Sequence, residues 1–239
     1  MDIQSINKAR VVHYGLFCSV LGFFENRDRY ENIAGTIDLL SQNPIDENCE
    51  KAIEGMKEFL QKGGFEALKE ENDMIFYSPI TSFIPTTASF YDEQRDDGKM
   101  HLKMINYVLK SKFRRDISTC KEHEDHIEFI LVFMQKLVEE DIDGDQDAAI
   151  LARDVFKNVL NVMIDEFVEN LYTHEKSNFY KNMAIVMKVF FELEREYLNI
   201  SKPKVKESRK NENQKLTKKK EPAHERVKKN MDEVSSLVD

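Results

Sequence analysis

The densest run of ionisable side chains in this 239-residue chain is Glu122-His123-Glu124-Asp125-His126. Imidazoles and carboxylates at this density are the raw material of a metal site, of acid–base catalysis or of a turn that holds a cation. A zincin-type site needs His-Glu-x-x-His, which places two His at i and i+4 on one helical face. Here the two His are three apart and no further His is near in sequence, so the spacing assigns no metal ligand. Glu122 and His126 alone stand four apart. The acids also precede a helix-forming stretch that starts at Ile127, where negative charge meets the positive end of the helix dipole. His126, at the edge of that apolar stripe, is the group expected to titrate near neutral pH.

Other reactive patterns are missing. No G-x-S-x-G elbow, Walker loop or G-x-G-x-x-G turn occurs, and with 8 Gly there is little from which to build a phosphate cradle. The hydroxyls between Ser82 and Ser89 have no base paired to them by spacing, and loop polarity accounts for them. Cys18, Cys49 and Cys120 are odd in number and contain no C-x-x-C pair, which implies neither a disulfide framework nor a zinc ribbon and suits a reducing compartment. The apolar stretch Val11 to Phe24 follows Lys8 and Arg10, yet His13 and Tyr14 interrupt it and no small-x-small cleavage site follows. It is also shorter than the roughly 20 residues a bilayer requires, so it reads as a core helix.

The elements that must position the cluster are helices. Ile6, Ala9, His13, Leu16, Phe17, Val20 and Phe24 recur at helical spacing, as do Ala52, Ile53, Met56, Phe59 and Leu60 ahead of a stop at Gly63-Gly64. Phe76 to Asp97, with Pro79, Pro85, Thr86-Thr87 and Asp96-Asp97, is expected to be an aromatic-bearing loop without helix. A short helix follows over Met100 to Lys112. A strong one carries Ile127, Ile130, Leu131, Met134, Leu137 and Val138. Two long helices come after the acidic turn Asp141 to Asp145, one with Leu151, Val155, Val159, Val162, Met163 and Phe167, the other with Phe179, Met183, Val186, Met187, Phe190 and Leu193. The fold class is therefore all-α, a single helical-bundle domain over residues 1–200.

Residues 201–239 carry 12 Lys and Arg against 7 Asp and Glu, leaving 23 and 37 in residues 1–200, so formal charges are +5 and −14. Apolar residues nearly vanish past Ile200, and the expectation is a disordered basic tail. An acidic body is a poor nucleic-acid binder, because phosphates are gripped by Lys and Arg, and it favours cationic peptides. Neither nucleic-acid binding nor stable membrane insertion is expected. A metal-dependent hydrolase built on Glu122 to His126, and a basic-tailed scaffold for RNA or membranes, stand as alternatives.

Three stretches together resemble the TorD/DmsD/NarJ family of molybdoenzyme maturation chaperones. Asn72 to Pro79 with Ile84 to Glu93 is similar to the family's aromatic loop. Glu122-His123-Glu124-Asp125-His126-Ile127 resembles its Glu-Pro-x-Asp-His motif, with His123 where the family usually has Pro. Val155 to Glu194 resembles its two closing helices. The resemblance implies a cytoplasmic, non-enzymatic folding chaperone of anaerobic respiration, without a cofactor of its own, as monomer or homodimer. Its partner would be the apo form of a molybdenum-dependent oxidoreductase, bound through a twin-arginine leader or N-terminal segment. By the same resemblance, Glu122, Asp125 and His126 with Phe76, Tyr77, Pro85, Ser89 and Tyr91 form the peptide site, carboxylates for the guanidinium forks beside an apolar groove.

Overall fold

The computed structural model describes residues 2–24, 27–117 and 121–203, and among these there are helices and no strand, the architecture expected from the spacing. Helix α1 (Ile3–Leu21) starts at Asp2, whose carboxylate accepts from Ser5 N at 2.6 Å. Next come α2 (Arg27–Ser41), which the periodicity reading did not pick out, and α3 (Glu47–Phe76), capped by Asp46. Gly64 (φ 62°, ψ −154°) breaks the course of α3 where the Gly pair predicts a stop, but the helix resumes and runs on to Phe76. After α4 (Ala88–Glu93) and α5 (Lys99–Lys110), α6 (Ile127–Ile142) begins at His126.

The first of the two closing helical runs is α7 (Gln146–Val155), a π-helical turn (Phe156–Leu160) and α8 (Asn161–Thr173) in direct succession; the second is α9 (Phe179–Leu198), ended by Asn199 in the left-handed region. In the bundle α1 lies against α6, α3 against α9, and α9 against α8. No helix among the described residues is long and apolar enough to cross a membrane, and the stretch from Val11 to Leu21 lies in α1 with its large side chains packed inside. The tail expected over residues 201–239 lies outside the described residues from position 204, as does Cys120.

Three further expectations are corrected. The segment from Phe76 to Asp97 is not all loop, since α4 forms within it. Its first amides find acceptors on a distant turn, with Ala88 N donating to Asp125 O (2.8 Å) and Ser89 N to Asp125 Oδ2 (3.0 Å), which offsets the breaking tendency of Pro85 and Thr86-Thr87. On α1 Ala9 is exposed, and the buried face opens with Asn7 and Arg10. Arg10 makes a two-bond fork to Glu194 (Nε to Oε2 2.8 Å, Nη2 to Oε1 2.7 Å), and Tyr14 adds a third bond to the same carboxylate at 2.8 Å. On α9 that leaves Leu193 outside, 45% exposed, while Phe191 and Glu194 turn inward.

Two further polar links lock helices to one another. Buried Glu71 of α3 accepts from Asn178 N (2.8 Å) and Tyr180 N (2.9 Å), holding the start of α9; burial raises its pKa, and the amides it holds oppose that. Arg29 of α2 takes the free carbonyls at the end of α1, donating to Cys18 O (2.7 Å) and Ser19 O (2.6 Å), and pairs with Glu128 of α6 at 2.7 Å. Arg29 Nη1 also donates to Phe23 O at 3.2 Å, which ties the Phe23 backbone to the same clamp.

Candidate functional site

The Glu122 to His126 turn is bound edge to edge to the segment before α4. Besides the amide bonds into Asp125, Ile127 N donates to Thr86 O at 2.8 Å, an isolated antiparallel bridge between Thr87 and His126. Asp125 is 1% exposed. Its Oδ2 accepts from Ser89 N and, at 2.5 Å, from Ser89 Oγ, whereas Oδ1 has no hydrogen-bond partner. Ser89 Oγ accepts in turn from His101 N (3.2 Å) at the start of α5. One carboxylate thereby joins three segments far apart in sequence.

His126 caps α6, its Nδ1 accepting from Glu128 N at 3.3 Å. That contact leaves the proton on Nε2, which faces Glu122 Oε2 at 4.0 Å. Burial lowers the His126 pKa, against the opposite pull of Glu122, Glu128 and Asp125, and the neutral ring is the form that serves as cap.

The residues of the expected peptide site divide by accessibility. Phe76, Ser89, Tyr91, Asp125 and His126 are buried, Pro85 is half-buried, and Tyr77 and Glu122 reach solvent. Tyr91 donates to Pro85 O at 2.8 Å and packs edge-on against Phe167, so it shapes the loop from beneath. Phe76 meets Tyr180 edge-on at 5.5 Å. In this conformation Asp125 and Ser89 tie the junction together, while Tyr91 and Phe76 pack it against α8 and α9.

Tyr77, 48% exposed at the end of α3, stands edge-on to the exposed ring of Phe23 at 5.4 Å. Its hydroxyl pKa is pushed up to about 12, first by partial burial and then by the negative charges of Glu122 and Glu128, with Asp73 adding and Arg29 opposing. The Tyr77 hydroxyl thus feels the charge of Glu122, while the Phe23 ring has Lys69 Nζ 5.9 Å from its centroid. The loop that follows exposes Ile80 and Phe83. Such a surface, aromatic with carboxylates at its border, can take a segment that mixes guanidinium and apolar side chains.

Sequence spacing missed His101. It comes from α5 and brings its ring to 4.7 Å from that of His123, with Asp97 Oδ1 2.8 Å from His123 Nδ1 and 3.3 Å from His101 Nδ1. The i,i+4 pair Asp97 and His101 at the helix start is the one signal that was there to find. Glu124 completes the group, 3.0 Å from His101 Nε2 and 3.3 Å from Arg115 Nε.

Comparison with known proteins agrees with this architecture. The family model described as nitrate reductase delta subunit matches residues 42–172, a span that includes the whole of α3, the junction and α6. Among solved structures the fold is similar to a proposed redox enzyme maturation protein from Archaeoglobus fulgidus, with a TM-score of 0.52 and 20% identity, covering 76% of this chain and 93% of that one. At that identity the likeness concerns the fold. No curated protein sequence matches the chain.

Proposed function

Because the chain belongs to the nitrate reductase delta subunit family, the NarJ/TorD type, we propose that it is a cytoplasmic chaperone that binds the twin-arginine leader or N-terminal segment of a molybdenum-dependent oxidoreductase. It acts on the apo form of the catalytic subunit, assists insertion of the client's cofactor and delays export until folding is complete. Binding, without turnover, is the whole activity.

The observation that carries the reading at the site is the exposed Phe23–Tyr77 ring pair, with Glu122 and Glu128 acting on the Tyr77 hydroxyl. A twin-arginine leader joins two guanidinium groups to an apolar segment, and this surface offers a partner to each. Glu122 supplies the carboxylate, and the rings supply apolar and cation–π contact. Asp125, Ser89 and His126 act one layer below, holding the turn that presents Glu122 against the end of the Phe76–Tyr77 loop.

Isothermal titration with synthetic leader peptides tests this. Glu122→Gln and Tyr77→Ala change exposed side chains, so each variant is expected to keep its melting temperature within a degree or two while losing about 1–2 kcal/mol of binding, the range of a truncated interface anchor. Undiminished binding in both would move the site elsewhere on the molecule.

A further inference from the structure

Asp97, His101 and His123 converge in a way the peptide-binding role does not use. The single oxygen Asp97 Oδ1 faces the Nδ1 atoms of both rings, and one donor atom from each residue lies within 4.8 Å of the other two. His101 Nε2 is hydrogen-bonded to Glu124 Oε2 at 3.0 Å, and Glu124 is itself paired with Arg115. When Nε2–H donates to Glu124, the Nδ1 lone pair of His101 points at the Asp97 carboxylate. Two acceptors then face each other, an arrangement relieved by a cation between them. A carboxylate on the far nitrogen of a ligating His is also how metal sites fix ring orientation and tautomer.

Backbone geometry supports the same assignment. Asp97 is held at φ 53°, in the left-handed region that Asp tolerates, and its neighbour Asp96 accepts from Thr87 Oγ1 at 2.7 Å. The segment is therefore anchored with the Asp97 carboxylate turned to the two imidazoles.

We propose that Asp97, His101 and His123 form a binding site for a divalent transition-metal ion of the zinc class. Bonds of about 2.0–2.2 Å to nitrogen and oxygen place tetrahedral donor atoms roughly 3.4 Å apart, and Asp97 Oδ1 already stands 2.8 Å and 3.3 Å from the two Nδ1 atoms. Two imidazoles and one carboxylate select zinc, nickel or cobalt over magnesium and calcium, which prefer all-oxygen shells. Three protein ligands leave a fourth position for water or an incoming donor. The bound ion would fasten the start of α5 to the turn ahead of α6. This inference does not depend on what peptide the neighbouring surface binds.

The test uses the full chain without an affinity tag, stripped with chelator and titrated with Co2+ while its visible ligand-field bands are recorded, with Zn2+ as displacer. One equivalent of Co2+ is expected to bind with tetrahedral-type bands that Zn2+ abolishes. Asp97→Asn and His123→Asn replace side chains 66% and 52% exposed, so the metal-free variants keep their helical circular dichroism, and each weakens Co2+ binding at least tenfold. His224→Ala, in the C-terminal segment, leaves it unchanged. Absence of uptake by the wild-type chain, uptake that survives both of the first two substitutions, or uptake lost with His224 would overturn the assignment.

Discussion

Replacing Asp125 by Ala separates a positioning residue from one that touches a peptide. The substitution deletes an acceptor that holds Ser89 N (3.0 Å) and Ser89 Oγ (2.5 Å), both buried. Hydrogen bonds to a charged group contribute about 1.5–3 kcal/mol each, and the Ser89 amide left without a partner adds its own desolvation cost. Working the other way, the buried carboxylate no longer has to be desolvated, and its unpartnered Oδ1 makes that relief appreciable. The balance is a destabilisation of about 2–4 kcal/mol, or roughly 4–16 °C in melting temperature for a domain of this size. Thermal melts by circular dichroism, with urea titrations of wild type and variant, measure it. Asp125→Asn, which keeps an acceptor oxygen, is expected to lose less than half as much. An Asp125→Ala protein within 1 kcal/mol of wild type would refute the claim that this carboxylate fastens α4 to the α6 turn.

Three further outcomes follow from the packing. Arg10→Met strands Glu194 in the core without its fork and should cost about 3–5 kcal/mol in urea unfolding, while Arg10→Met with Glu194→Leu recovers much of the loss. Gly64→Ala meets no atom within 4 Å, yet φ 62°, ψ −154° is a conformation nearly confined to Gly, so about 1–3 kcal/mol should be lost through the backbone alone. His13 is buried, stacked on Phe190 at 5.0 Å, and its pKa is lowered by burial. A base with a depressed folded pKa stabilises the fold fully above its unfolded value near 6.5 and loses that contribution as pH falls through that value towards the folded one. Stability measured from pH 7.5 to 5 should decline by up to about 1.4 kcal/mol per pH unit from this site, and more gently in His13→Phe; His126, shifted the same way, keeps the variant's slope from vanishing.

The helices with clean apolar stripes were legible because their packing partner is simply the core. Ile127 to Val138 on α6 and Phe179 to Phe190 on α9 follow the 3.6-residue period that burial imposes. The buried face of α1 was misread at its start because Arg10 is inside for the sake of Glu194, 184 positions away, and no local pattern announces a pair at that distance. Helix α4 was hidden for a related reason. Its first amides are satisfied by Asp125, so a segment whose own residues favour turns is made helical from outside. At the site, the turn from Glu122 to His126 stood out by density of charge, and Tyr77 and Glu122 are on the surface where a ligand can meet them. The convergence of His101 on His123 was hidden, since spacing rules compare neighbours in sequence and α5 enters from 22 residues upstream of His123, leaving the Asp97–His101 i,i+4 pair as its one local sign.

Recognition of a paired-arginine leader, as proposed, takes place at the surface formed by Tyr77 and Glu122. Its most direct measurement is titration of the full chain with a client leader carrying Arg-Arg and with the same peptide carrying Lys-Lys, at low and high salt. Saturable one-to-one binding of the Arg-Arg peptide is expected, weakened at least tenfold by Lys-Lys, because lysine lacks the planar fork, and weakened again by salt, which screens charge over about 10 Å at 0.1 M. Equal affinity for the two peptides, or none for either, would contradict it.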